Sequence, residues 1–256
     1  MSKRPASLRL DRLLANLGYG SRREVQQMAA AGWVLLDGEE LTDGDQHIKL
    51  SADLAVRMTI QGKPLDPPPG MALLMHKPLG VTCSHKDTGP LVYELLPPRW
   101  RRREPPLSTI GRLDKETSGL LLFTDDGDLL HRVISPKKHV SKRYLATLER
   151  PLNGDELERF ASGTLLLEGD DKPLLPAELW VLSPTTAWLT LHEGRYHQVR
   201  RMFAAVGNHV AALHRDRIGG LDLPEDLSPG AYQVMGEADI AAIFALKPAP
   251  GDFGAL

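Results

Sequence analysis

Three consecutive prolines, Pro67-Pro68-Pro69, lie inside the stretch Gln61 to Gly70. Proline has no amide hydrogen and a fixed φ, so such a run neither continues a helix nor pairs in a central strand; it makes a semi-rigid extended spacer. The 256-residue chain is therefore expected to divide into a small module, residues 1–60, a Pro-rich linker, 61–70, and a larger domain, 71–256. Composition is that of an ordinary globular protein, 42% hydrophobic and 25% charged. No apolar run approaches the length of a membrane span, and Met1-Ser2-Lys3-Arg4-Pro5 has no apolar core behind it, so the expected compartment is the cytoplasm, with no membrane partner. The single cysteine, Cys83, excludes a disulfide within one chain and any thiolate metal cluster.

The net charge of -2 says nothing about a partner, but its distribution does. Cations gather at Lys3, Arg4, Arg9, Arg12, Arg22 and Arg23; at Arg132, Lys137, Lys138, Lys142 and Arg143; at Arg195, Arg200, Arg201, Arg215 and Arg217; and at Arg99 and Arg101 to Arg103. The acidic counterweight is in the tail, where Asp222, Glu225, Asp226, Glu237, Asp239 and Asp252 face only Lys247. Such separation suggests a basic face for a polyanion, and phosphate is the usual one.

In the small module Leu10, Leu13, Leu14 and Leu17 fall on one face of a helix that stops at Gly18. Ser21 and Glu24 have the spacing of a capping box and start a second helix, with Val25, Met28 and Ala29 on its apolar face. Arg22 and Arg23 sit in its first turn, where cations oppose the helix dipole and phosphate oxygens would compensate. A strand at Trp33 to Leu36, turns at Asp37-Gly38 and Asp43-Gly44, and a strand at Ala55 to Ile60 follow. The module resembles the S4 RNA-binding domain, most closely through Arg9-Leu10-Asp11 and Ser21-Arg22-Arg23-Glu24.

The larger domain is organised around Gly111 to Asp128. Leu120 to Phe123 reads as a buried strand, and Gly111 to Gly119 before it as a loop delivering Arg112, Asp114 and Lys115 to one place. A carboxylate between two cations is a candidate nucleophile; the plain alternative is a solvated surface loop. Ala72 to Met75 reads as a strand, Arg99 to Pro106 as an exposed loop, and Ser141 to Leu148 as a strand whose Tyr144 is either core or a stacking group in a pocket. Thr124 to Asp128 has the look of a calcium loop but lacks the alternating ligands and terminal glutamate; Asp128 is expected to start a helix, Leu129 to Ile134. From His197 a helix is expected, with Val199, Met202, Phe203 and Val206 on one face and Gly207 closing it. Arg200 near its start is a natural two-pronged partner for Asp114.

Gly111 to Gly119, Lys142 to Leu145 and Glu193 to Phe203 together resemble the pseudouridine synthases, specifically the RsuA branch that carries an N-terminal S4 domain. Gly-Arg-Leu-Asp followed by Thr-Ser-Gly-Leu carries the family, and Tyr196-His197-Gln198 the branch. The fold implied is α+β: a small S4-like RNA-binding domain, then a mixed α/β catalytic domain built on a largely antiparallel sheet. The activity implied is isomerisation of a uridine in 16S ribosomal RNA, uridine 516, with Asp114 as catalytic carboxylate, Arg200 paired with it and Tyr144 stacked on the flipped base. Asp114 would attack C1' or remove a ribose proton, and both routes stay open. By the same resemblance Arg9, Arg12, Ser21, Arg22, Arg23, Arg112, Lys142, Arg195, His197, Gln198 and Arg201 contact substrate RNA. No cofactor and no metal are required. The expected partner is 16S rRNA, free or in a partly assembled small ribosomal subunit, met by a monomer. A synthase for a large-subunit uridine and a non-catalytic ribosome-assembly factor are the competing readings.

Overall fold

The computed structural model describes residues 7–84, 89–135 and 138–245; Lys3, Arg4, Lys137, Lys247 and Asp252 of the charge clusters lie outside these. The N-terminal module runs β1 (Ser7–Arg9), α1 (Leu10–Asn16), α2 (Arg22–Ala30), β2 (Val34–Leu36), β3 (Glu39–Glu40), β4 (His47–Lys49), α3 (Leu54–Arg57), β5 (Met58–Ile60) and β6 (Lys63–Pro64). Leu10, Leu13, Leu14 and Leu17 are buried on one face of α1, against Val25 and Ala29 of α2 and Met58 and Ile60 of β5. The expected capping box forms, with the Ser21 and Glu24 side chains each bonded to the other's backbone amide.

Two expectations here are corrected. Ala55 to Ile60 is not one strand: α3 occupies its first half, which leaves Val56 79% exposed. The linker is also shorter than its sequence suggests. Gln61 and Gly62, both at positive φ, turn the chain so that β6 pairs β5, and Leu65 is buried in the module's core.

The second domain runs β7 (Ala72–Lys77), two 3-10 turns (Val92–Leu95 and Trp100–Arg102), β8 (Ser108–Ile110), β9 (Thr117–Thr124), α4 (Gly127–Ile134), β10 (Lys142–Leu148), α5 (Glu156–Ala161), β11 (Glu178–Ser183), β12 (Thr186–Leu191), α6 (Gln198–Ala205), β13 (Val210–Ile218), β14 (Leu221–Asp222), β15 (Tyr232–Val234) and α7 (Glu237–Ile243). Among the described residues these strands form a nine-stranded sheet, ordered β11-β12-β10-β13-β9-β7-β15, with β8 on β9 and β14 on β13. Every pairing is antiparallel except β13 with β9 at the centre, so the sheet is mixed and mostly antiparallel, as expected.

The central parallel pair places the site. Gly119 of β9, Arg215 of β13 and Tyr144 of β10 lie side by side across three strands. Gly119 sits at φ +112, and a Cβ there would collide with the backbone of Arg215. Glycine is therefore what lets β9 approach β13.

Arg99 to Pro106, expected as an exposed loop, instead anchors the linker. Trp100 and Arg103 are buried, and Arg103 Nη2 donates to Asp125 Oδ2 at 2.7 Å and to Pro68 O at 3.2 Å. Asp125 Oδ1 accepts from the Gly70 amide at 2.6 Å. Arg99 donates to both carboxylate oxygens of Asp66, at 2.6 and 2.9 Å, and lies over the Tyr19 ring of the N-terminal module. The Glu104 amide donates to Asn16 O at 2.8 Å, completing a polar seam between the domains.

Candidate active site

Asp114 lies in the short loop between β8 and β9; β9 begins at Thr117, so the loop is tighter than the Gly111 to Gly119 expected. Its carboxylate is 35% exposed. The loop is fixed from beneath. Lys77, at the end of β7, is fully buried and donates to the carbonyls of Pro78, Lys115 and Thr117 at 3.0, 3.4 and 2.8 Å. Burial pushes its ammonium below the ordinary lysine value, while the negative charges around it, Asp114 and Glu116 among them, oppose the shift. The Gly80 amide also donates to Lys115 O, and the Thr117 amide to Asp114 O.

Arg200 does not pair with Asp114. Its guanidinium donates to Val210 O at 2.9 Å and Glu116 O at 2.8 Å, bridging β13 to the loop two residues past the carboxylate. Two carbonyls at the right separation suit the planar fork as well as a carboxylate does. The group beside Asp114 is His197, with Nε2 3.3 Å from Oδ1. His197 precedes α6 in the left-handed region, φ 48° and ψ 33°, and its ring stacks on Tyr196. The helix after it is the one expected, with Val199, Met202 and Phe203 buried and Gly207 just beyond.

Three cavities open on the carboxylate. The smallest, of about 70 Å³, is lined by Asp114, Tyr144, His197 and Arg200 among others, so Arg200 shares a cavity with Asp114 although it does not pair with it. A larger one, of about 370 Å³, is lined by Arg112, Asp114, Lys142, Tyr144, Tyr196, His197 and Arg215 among others; another, of about 430 Å³, by Thr82, Cys83, Arg112, Asp114, Lys115, Tyr196 and His197. Tyr144 thus faces a cavity, and its hydroxyl accepts from Arg215 Nη1 at 3.3 Å. Arg215 is almost fully buried, donates through Nε to Leu120 O, and pairs with no carboxylate of the described residues. In the sequence it is one of a cluster of cations, in Leu213-His214-Arg215; its place against Tyr144 comes from the pairing of β10 with β13. Lys142 donates to Val140 O, and burial, reinforced by the charge of Arg215, lowers its pKa to about 8. Arg112, Lys142, Arg195 and Arg215 line the cavity of about 370 Å³ together with two carboxylates, Asp114 and the Arg195-paired Glu193, a setting for chemistry on a neutral heterocycle that gains negative charge.

The remaining sequence-selected residues separate into free and occupied groups. Arg112 and Lys115 are exposed on the rim, and Arg12 and Arg23 are exposed on the N-terminal module. Arg9 and Arg22 converge on Asp11, which is fully buried: Arg9 Nη2 and Arg22 Nη2 reach Asp11 Oδ2 at 2.9 and 2.8 Å. Burial would raise the Asp11 carboxyl, but the two guanidinium bonds hold it below the usual carboxylate range. Of the two cations at the start of α2, Arg22 therefore has a protein carboxylate, and phosphate is not needed to account for it. Ser21 is committed to the capping box.

Arg195 bonds Glu193, Asp170 and the carbonyls of Lys172 and Pro173, and Arg201 bonds Asp170 and the carbonyls of Glu168 and Tyr196. Gln198 is buried, accepting from the Arg195 amide and donating to Glu193. These three brace the loop that frames the cavity. The Thr124 to Asp128 turn holds no ligand set: Asp125 is paired with Arg103, and Asp126 rather than Asp128 caps α4, accepting from the amides of Asp128 and Leu129.

A family model described as RNA pseudouridylate synthase matches residues 72–175, and one described as S4 domain matches residues 8–54. Fold and site together define an S4-bearing pseudouridine synthase. The chain is 42% identical over 240 residues to the ribosomal small subunit pseudouridine synthase A of Escherichia coli (strain K12), covering 92% of this chain and 100% of that one. It is 40% identical over 237 residues to the protein of that name from Vibrio cholerae, covering 93% and 100%. A crystal structure titled pseudouridylate synthase superposes with a TM-score of 0.64 at 35% identity, covering 92% of this chain and 99% of that one. The chain belongs to the RsuA-type pseudouridine synthases.

Proposed function

We propose that the enzyme converts one uridine of 16S ribosomal RNA to pseudouridine, with Asp114 as the catalytic carboxylate and uridine 516 as the target. The reading of the site rests on one observation: Asp114 is the carboxylate common to three cavities that between them hold Tyr144, Lys142, Arg112 and His197. The choice of small-subunit RNA rests on the names of the relatives at 40 to 43% identity. Among the described residues no helix is long and apolar enough to cross a membrane. A monomer meeting rRNA in the cytoplasm, free or in a partly assembled subunit, is the simplest setting.

In the reaction the bond from ribose C1' to N1 breaks, the uracil ring turns, and C1' bonds to C5. The C5 proton is lost and N1 gains one, so atoms balance with no redox step. Asp114 acts either by attacking C1' or by removing a ribose proton. Tyr144 stacks on the detached ring, and Lys142 and Arg215 offset the negative charge the ring carries when the C1'–N1 electrons leave with it. Arg200 and Lys77 act through the loop, holding Asp114 in place. Extracting the base from its stack costs a few kcal/mol, which stacking on Tyr144 partly returns, about 1 to 3 kcal/mol. Arg12, Arg23, Arg112 and Lys115 supply phosphate contacts, so binding weakens as salt rises.

The test is tritium release from small-subunit rRNA labelled at uracil C5 and bound to early ribosomal proteins, run in EDTA with wild type and Asp114→Asn in parallel. Release by wild type alone, mapping to one uridine, is the expected outcome. Salt-sensitive binding with no release from small- or large-subunit RNA would leave a non-catalytic RNA-binding protein.

A further inference from the structure

Tyr196 stands between the two larger cavities and is 70% exposed, unusual for an aromatic ring in the middle of a site. One face of its ring is covered by the His197 imidazole, centroids 3.9 Å apart and planes 16° from parallel. The inner end of this two-ring stack touches the catalytic loop, since His197 Nε2 is 3.3 Å from Asp114. The stack is held rather than loose. His197 adopts a left-handed backbone conformation, in which its Cβ crowds the backbone, and it is kept there by its neighbours: Arg201 Nη1 donates to Tyr196 O, the Arg201 amide to His197 O, and the Gln198 amide to Arg195 O.

A strained backbone that presents a large apolar ring to solvent gains nothing in folding. It gains a purpose when a flat, aromatic ligand completes the stack. The exposed cations beside it, Arg112 and Lys115, select a ligand that is also anionic. A nucleobase on a phosphate backbone meets both conditions, and stacking suits it because every base has a π-face. The cavities on either side of Asp114 belong to the flipped uridine, so a base on the outer face of Tyr196 is a neighbour of that uridine rather than the uridine itself.

We infer that Tyr196, backed by His197, is a stacking platform for the nucleotide flanking the target uridine, supporting the helix end from which the target has been withdrawn. This rests on the proposed action on RNA uridine, and adds a second base-binding position that acts on substrate selection. A platform of this kind fixes the spacing between the stacked flanking base and Asp114, and so restricts which uridine in a loop is presented.

The experiment uses the full-length enzyme and 16S rRNA assembled by ligation, bound to early ribosomal proteins, with 2-aminopurine placed on the 5' or the 3' side of the target uridine. Wild type and Asp114→Asn are both expected to quench the probe at one of these positions, because stacking does not require turnover. Tyr196→Phe should keep the quenching. Tyr196→Ala should lose it and bind RNA about 5- to 100-fold more weakly, with KM rising more than kcat falls. The inference is overturned if probe fluorescence is the same in wild type and Tyr196→Ala at both positions, or if Tyr196→Ala lowers kcat alone, as it would if the ring only steadied His197. Tritium release by wild type is scored in the same samples. Its absence counts against isomerisation itself, whereas turnover without quenching counts against the platform.

Discussion

Lys142 enters the cavity from the first residue of β10, two positions before Tyr144, and its pKa is lowered to about 8. Burial is the main cause, and the positive charge of Arg215 adds to it. If its ammonium offsets charge on the departing uracil, activity should fall as pH rises through about 8. Thermodynamic linkage runs the other way. Between about 8 and the ordinary lysine value the unfolded chain binds more protons than the folded one, so this group makes the fold more stable as pH rises. A pH–rate profile that drops across that window while the melting temperature holds or climbs is therefore the signature expected of Lys142 and not of unfolding. Lys142→Arg should remove the alkaline limb, since guanidinium keeps its proton throughout. An unchanged limb in that variant would assign the titration to another group.

Strand β9 carries the argument at the next scale, because its parallel contact with β13 brings Asp114, Tyr144 and Arg215 together. Gly119→Ala should be costly although the residue lines none of the cavities that hold Asp114. The added methyl meets the backbone of Arg215, and backbone cannot swing aside as a side chain can. A loss of about 1 to 3 kcal/mol is expected, toward the upper end, read by urea unfolding, with turnover falling more than stability as the Arg215–Tyr144 geometry shifts. The element itself was legible in sequence, as were the leucine face of α1, the capping box of α2 and the apolar face of α6, because each is a local period or a three-residue spacing. Partnerships were not. Arg200 lies where a loop carboxylate was expected to receive it, yet it bonds Val210 O and Glu116 O. The position of a helix is set by its own residues, but the end of a long side chain is set by whatever another segment brings near. Arg103 and Asp125 show the same limit: a basic stretch expected as an exposed loop and an acidic turn with the look of a calcium loop become a buried pair only when both meet at the linker. Val56 errs the other way, since apolar alternation over three positions was too short to separate a strand from a helical turn followed by one.

For the molecule as a whole, that buried pair decides how firmly the RNA-binding module is held to the catalytic domain. The Arg103 and Asp125 side chains are 1% and 2% exposed, and between them they bond Pro68 O and the Gly70 amide, which are the linker itself. Arg103→Ala strands a buried carboxylate and should cost about 3 to 5 kcal/mol. Replacing both, Arg103→Met with Asp125→Leu, removes the stranded charge and should recover much of that loss, short of about 1 to 3 kcal/mol for the unpaired Gly70 amide. The double variant therefore separates stability from domain placement. Its melting temperature should approach wild type, while small-angle scattering shows a broader distribution of shapes and protease reaches residues 61–70 sooner. If the S4-like module and Asp114 must engage one RNA at a set distance, the double variant should also bind rRNA more weakly than wild type, because a looser tether lowers the effective concentration of the second contact. Its rate on saturating RNA should stay close to wild type, since neither residue lines any of the three cavities at Asp114. A stable double variant with unaltered affinity and unaltered scattering would mean that Arg99 with Asp66, and the Asn16 to Glu104 bond, suffice to fix the two domains.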